Sequence, residues 1–206
     1  MLRCRTNWMI GLVGAAVVAS GVLAFAQDAP VRVRGTIEKV DGNTLSVTGR
    51  GGAPMTVRLT DNARIVAIVK ASVSDIKPGS FIGTTAMPQP DGTLHAVEVH
   101  IFPEAMRGTG EGHRAWDLTP NSTMTNGTVA QAVDRVEGNT LTVKYKDGEK
   151  TVVVTPDTAI VTYTLGDRSE LKPQAKIFIA AATRKPDGSL ETERVNVGRD
   201  GLTPPM

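Results

Sequence analysis

Cysteine is nearly absent: the 206 residues contain one, Cys4. A single thiol cannot build a disulfide scaffold. Aromatic residues make up only 4%, so any core rests on Val, Ile, Leu and Ala. Neither sign of charge dominates: 23 Lys and Arg stand against 21 Asp and Glu, a net charge of +2. That excludes a strongly basic nucleic-acid binder. One long apolar run is too few for a polytopic membrane protein. Gly-x-Ser-x-Gly, His-Glu-x-x-His and Gly-Lys-Ser/Thr loops are all missing, which removes the common hydrolase, zinc-protease and nucleotide-loop signatures. What remains is ordinary for a folded chain, with 40% hydrophobic and 21% charged residues.

The N-terminus reads as a targeting segment. Arg3 and Arg5 precede an uncharged apolar run, residues 9–26, which ends in Ala24-Phe25-Ala26 before Gln27, Asp28 and Pro30. A small-x-small site after such a run predicts a signal peptide over residues 1–26, cleaved after Ala26. Retained, the same run of about 18 residues would just span a bilayer as an anchor, the only membrane contact expected. Cleavage takes Arg3, Arg5, Cys4, Trp8 and Phe25 away. The mature chain then has 21 basic and 21 acidic residues, no cysteine and six aromatics. A thiol-free, neutral chain suits an oxidising periplasmic or extracellular compartment and has no bulk attraction for nucleic acid.

Three blocks recur in order. Val40-Asp41-Gly42-Asn43-Thr44-Leu45 returns as Val136-Glu137-Gly138-Asn139-Thr140-Leu141, Ser74-Asp75-Ile76-Lys77-Pro78 as Ser169-Glu170-Leu171-Lys172-Pro173, and Pro90-Asp91-Gly92-Thr93-Leu94 as Pro186-Asp187-Gly188-Ser189-Leu190. The offsets are 96, 95 and 96 residues, a register that chance turns would not keep. The blocks divide the chain into a first repeat at 30–102, a connector at 103–126, a second repeat at 127–198 and a frayed tail at 199–206. Within each repeat, period-two alternation such as Val31/Val33 against Arg32/Arg34, and Leu45/Val47 against Ser46, marks strands, and Asp-Gly-Asn marks hairpin turns. The order is three strands, a short helical segment near 71–76, then two strands. This predicts an all-β protein of two tandem OB-like five-stranded barrels, each with a short helical segment. A pair of open β-sandwich halves is the rival architecture.

The pattern from Val33 to Val47, Ile76 to Gly79 and Pro90 to Val99 resembles a family of exported bacterial small β-barrel domains of unknown function, here in two copies. Some of those relatives carry a metal-transporter permease label, which a chain with one apolar segment does not fit literally. The second copy departs from the pattern at two places, with Gln174 after Lys172-Pro173 and Gln131 in place of Gly35.

All three histidines, His95, His100 and His113, fall within one short stretch, and the second repeat has Glu191 and Asn196 where the first has His95 and His100. Alternation puts Val97, Val99 and Ile101 on one face and Glu98, His100 and Phe102 on the other. The connector adds Glu104, Met106, Glu111, His113, Trp116 and Asp117. Imidazole and carboxylate together suit copper or zinc, with His100, His113, Glu104 and Glu111 as the candidate ligands. The bland alternative is a solvated strand histidine and a linker clamped by Trp116. The function expected is a non-enzymatic binding or envelope-associated module, with an envelope protein or a small ligand as partner. The alternative is a periplasmic metal-binding accessory protein linked to metal transport.

Overall fold

A computed structural model describes residues 29–133 and 139–206. The expected signal peptide, and residues 134–138 of the repeated turn, lie outside the described residues. Twelve strands carry the fold: β1 (Val31–Asp41), β2 (Thr44–Gly49), β3 (Pro54–Lys70), β4 (Phe81–Pro88), β5 (Leu94–Ile101), β6 (Gly112–Ala115), β7 (Thr123–Val133), β8 (Asn139–Tyr145), β9 (Gly148–Val154), β10 (Ala159–Leu165), β11 (Lys176–Arg184) and β12 (Leu190–Gly198). Each expected helical segment is a single 3-10 turn, Val73–Asp75 or Arg168–Glu170. The carboxylates of Asp75 and Glu170 accept from the backbone N–H of Ser72 and Asp167, and Pro78 and Pro173 follow too soon for a further turn. Among the described residues no helix is long and apolar enough to cross a membrane.

Strands β1, β2, β3, β12 and β11 pair in that order, and β11 pairs back onto β1, which closes a five-stranded barrel. The β3–β12 pairing is parallel and the others are antiparallel. Its interior is aliphatic, with Ile37, Leu45, Val57, Ile179 and Val195 fully enclosed. A second cycle runs β4, β7, β8, β9, β5 and back to β4. It is closed by a short parallel contact of Leu94 and His95 with Val152 and Val153, around Ile82, Val99, Leu141 and Val143.

The strand pairings do not follow the division into 30–102 and 127–198. Each ring joins three strands from one half of the chain to two from the other. The cause lies in β3. It runs for 17 residues, roughly 55 Å if fully extended at about 3.3 Å per residue, with an irregularity in its register to β12 between Leu59 and Arg64. Its end pairs antiparallel with β10, where Ile68 faces Tyr163. Only two residues then precede the 3-10 turn, so the chain enters the second ring as β4. The same happens in reverse after β10. Ile76 therefore plugs the second core and Leu171 the first.

Two boundaries also move. The connector 103–126 is not a loose tether: β6 lies within it and pairs with β7, which itself begins at Thr123. The tail 199–206 is packed rather than frayed. Met206 is 1% exposed against Ile68, Val161 and Phe178, and Arg34 Nε donates to its main-chain oxygen at 2.8 Å. A constant offset aligns Gln131 with Gly35, yet the glycine with the matching environment is Gly127. A Cβ on Gly35 would lie 2.5 Å from the Thr48 carbonyl oxygen, and one on Gly127 would collide with that of Lys144. Gly35-Thr36-Ile37 and Gly127-Thr128-Val129 face their partner strands in the same way.

A cavity between the two rings

Strand β5 does not keep the alternation read from its sequence. Thr85 faces Glu98 but Ala86 faces Ala96, so Val97 is an extra residue, a bulge. Val97 turns to solvent, while Glu98, Val99 and His100 are all buried. Val99 enters the second core, and Glu98 and His100 share the outer face of the ring. They point the same way, as alternation predicts, but that face is covered.

The buried carboxylate of Glu98 is fully used. The Thr85 N–H donates to Oε1 at 3.0 Å and the Thr85 hydroxyl at 2.7 Å, while His100 Nδ1 sits 3.0 Å from Oε2. This fixes the imidazole plane and leaves Nε2 on the far side. The ring meets Phe102 and Tyr163 edge-on, at centroid distances of 4.8 and 5.7 Å. Burial, and then the nearby Glu98, push the Tyr163 phenol well above its ordinary range. Gly83, opposite His100, makes room for the ring. In the other ring the sizes are reversed: Phe178 stands opposite Asn196, whose amide donates to the Phe178 carbonyl at 3.0 Å.

Strand β12 has no such extra residue: its register to β11 is constant, and the irregularity opposite it lies in β3, where Thr192 faces Leu59 and Arg194 faces Arg64, with Glu193 exposed and Arg194 half-buried. Arg194 lies 96 residues after Glu98, and the inter-ring ladder brings its guanidinium to 5.8 Å from the Tyr163 ring. Its recorded partners are weak, Asn196 Oδ1 at 3.3 Å and Met106 Sδ at 3.4 Å.

The connector forms a wall. Trp116 lies under Arg32 at 4.0 Å and beside Arg114 at 5.5 Å. Asp117 bridges Arg32 and Arg34 at 3.3 and 2.8 Å, and Arg34, then Arg32, hold its carboxyl below the usual range. Asn126 on β7 donates to the Thr109 carbonyl at 2.9 Å, which orients its amide oxygen the other way.

These groups line a cavity of about 560 Å³ that opens to solvent, with walls from both rings, the connector and Met206. Its apolar wall is Phe102, Tyr163, Phe178 and Met124, and its polar groups include His100, Asn126, Arg114 and Arg194. Among the described residues, three buried side-chain polar atoms have no hydrogen-bond partner: Thr60 Oγ1, Trp116 Nε1 and Asn126 Oδ1. All three belong to residues lining this cavity.

The four metal candidates are used separately. His100 is held by Glu98, and His113 Nδ1 lies 2.8 Å from the Thr125 hydroxyl and stacks on Tyr145. Burial, then Lys150 and Arg114, lower the His113 pKa. Glu104 is clamped by Arg107 at 2.6 Å, and Glu111 is exposed. His95 is exposed too. Among the described residues no three His, Cys, Asp or Glu side chains form a group able to hold a metal ion. Of the four, only His100 lines the cavity. Tyr163, Asn126 and Arg194 were not singled out from sequence. The signal for Arg194 was present in the repeat, because Glu98/Arg194 and His100/Asn196 are equivalent positions that differ between the halves. The chain matches no protein-family model, no curated protein and no solved structure.

Proposed function

We propose that this protein is an exported, non-enzymatic binding module of two OB-like barrels, and that its ligand site is the cavity between them. The observation that carries this reading is that the residues holding Thr60 Oγ1, Trp116 Nε1 and Asn126 Oδ1, the buried side-chain polar atoms without a partner among the described residues, all line this one cavity. A buried polar group without a partner costs about 1–3 kcal/mol, and a bound molecule with matching donors and acceptors would offset that. The volume lies within the range of small-molecule sites, roughly 300–1,000 Å³. The strand order of the first ring, three consecutive strands closed by a pair with the last strand parallel to the third, supports the OB-like reading. The matching Asx turns, where Asp91 and Asp187 each accept from the backbone and hydroxyl of the residue two ahead, support an internal repeat.

The export half of the proposal rests on the N-terminal pattern, and on a mature chain without cysteine. N-terminal sequencing of the protein from its native compartment is expected to begin at Gln27. The binding half is tested by thermal melts against a panel of small metabolites. Ligands that raise Tm in the wild-type protein should lose their effect in Ala180→Trp, which places a large side chain at the cavity wall. A shift that survives in that variant would move the site elsewhere.

A further inference from the structure

Taking the cavity as the ligand site, we infer that its ligand is a small organic anion with an apolar or aromatic body. Arg32 and Arg34 pair with Asp117, Arg58 with Asp187, Arg107 with Glu104 and Arg199 with Glu170. Six of the eleven described arginines, Arg50, Arg64, Arg114, Arg168, Arg184 and Arg194, have no carboxylate partner among the described residues, and of these only Arg114 and Arg194, both half-buried, line the cavity.

Arg114 gives one N–H to the Gly110 carbonyl at 2.7 Å and lays its plane near Trp116. Arg194 gives only the two long contacts to Asn196 and Met106. A guanidinium has five donors in a planar fork, so each keeps donors that a carboxylate, sulfonate or phosphate oxygen would accept. Like charge adds to the demand. Arg32 stands beside Arg114 and Arg64 beside Arg194; burial, then Arg32, lowers the Arg114 pKa, and burial lowers that of Arg194 against the opposing effect of Tyr163, with Arg64 adding to the fall. A bound anion would relieve both pairs.

Two acids also reach the wall. Glu191 is neutralised by Lys185, and Glu193 is exposed. Glu193 faces solvent, while Phe102, Tyr163 and Phe178 supply an apolar part of the lining. An inorganic ion would leave those walls unused, so an anionic head on an apolar body fits both halves of the lining.

The test compares two fluorescent probes that differ in charge. 1-Anilinonaphthalene-8-sulfonate carries a sulfonate, and N-phenyl-1-naphthylamine is the same skeleton without it. Both are titrated into the full folded protein, with circular dichroism to verify that each variant is folded. Loss of a charge-assisted bond is worth about tenfold or more in affinity. The sulfonate probe is therefore expected to bind at least about tenfold more tightly than the neutral one. Arg114→Gln and Arg194→Gln should each weaken the sulfonate probe by that factor and leave the neutral probe unchanged. Equal binding of the two probes, or indifference of the sulfonate probe to both arginine variants, would overturn the anion assignment and leave the cavity as the site. Failure of both probes to bind, or unchanged binding in Ala180→Trp, would overturn the cavity reading and the inference with it.

Discussion

Gly83 is the position where the smallest change should cost most. A Cβ added there would overlap the His100 ring at Nε2 and Cε1 and stand 2.6 Å from Asn126 Oδ1. None of these atoms is the end of a flexible chain. His100 is locked by Glu98, and Asn126 by the Thr109 carbonyl. Over-packing in such a place costs about 1–3 kcal/mol, and displacing His100 weakens its buried hydrogen bond with Glu98, worth about 0.5–1.5 kcal/mol. The two losses share one displacement and do not simply add, so Gly83→Ala is expected to lose roughly 2–4 kcal/mol. At about 2–4 °C per kcal/mol for a domain of this size, Tm should fall by about 5–15 °C. Gly51→Ala is the control, because nothing lies within 4 Å of its added Cβ. The other ring supplies the compensating change: there the small Asn196 stands opposite the large Phe178. In the Gly83→Ala background, His100→Asn should recover part of the loss, giving a coupling energy of about 1 kcal/mol or more in a double-mutant cycle. Urea melts that place Gly83→Ala within about 0.5 kcal/mol of wild type, or a double variant equal to the sum of the singles, would refute the reasoning.

Other outcomes follow from the fold. Gln174 holds φ of 70° where the equivalent Gly79 holds 88°, so Gln174→Gly should stabilise by about 1 kcal/mol, read as a higher urea midpoint. Met206→Ala should cost about 2–3 kcal/mol, since the side chain is buried and its hydrogen bond is made by the main chain, and calorimetry would measure it. Asp117 has a folded pKa below its unfolded value of about 3.9, so its contribution is full above that value and is lost as pH falls through the folded one. Because Asp117 is half-exposed, Asp117→Asn should cost no more than about 1 kcal/mol at pH 7. The gap in Tm between the two proteins should narrow as pH falls below the unfolded value and close once it passes the folded one. A fragment of residues 27–104 should show no cooperative melt, and adding residues 105–206 as a second chain should restore one, because neither ring is complete within either piece.

Much of the local structure was legible in the residues. Alternation marked the strands, and Asp91-Gly92 and Asp187-Gly188 marked turns that form as read. Pairing partners were not legible, because alternation says which face of a strand is buried and not which sheet buries it. The bulge at Val97 was hidden for a related reason. Val97 and Val99 are the same residue type, and only the pairing across to Thr85 and Ala86 shows that one is extra. The site was half-visible. His100 was singled out, but for a metal, because all three histidines cluster between 95 and 113. Arg194 and Tyr163 reach it only through the ladder between β3 and β10, an arrangement with no sequence signature.

The exchange of strands between the rings also sets the order in which the chain can fold. A self-contained first barrel would close once about half the residues had been made. Here β1, β2 and β3 wait for β11 and β12, whose last residue is Gly198. Contacts spanning most of the chain slow folding, because the loop must be closed before any pairing rewards it. In a chain proposed for export, that delay has a use. The first barrel cannot close before β11 and β12 have been made, so on that reading a narrow translocation channel would meet an unclosed chain rather than a finished barrel.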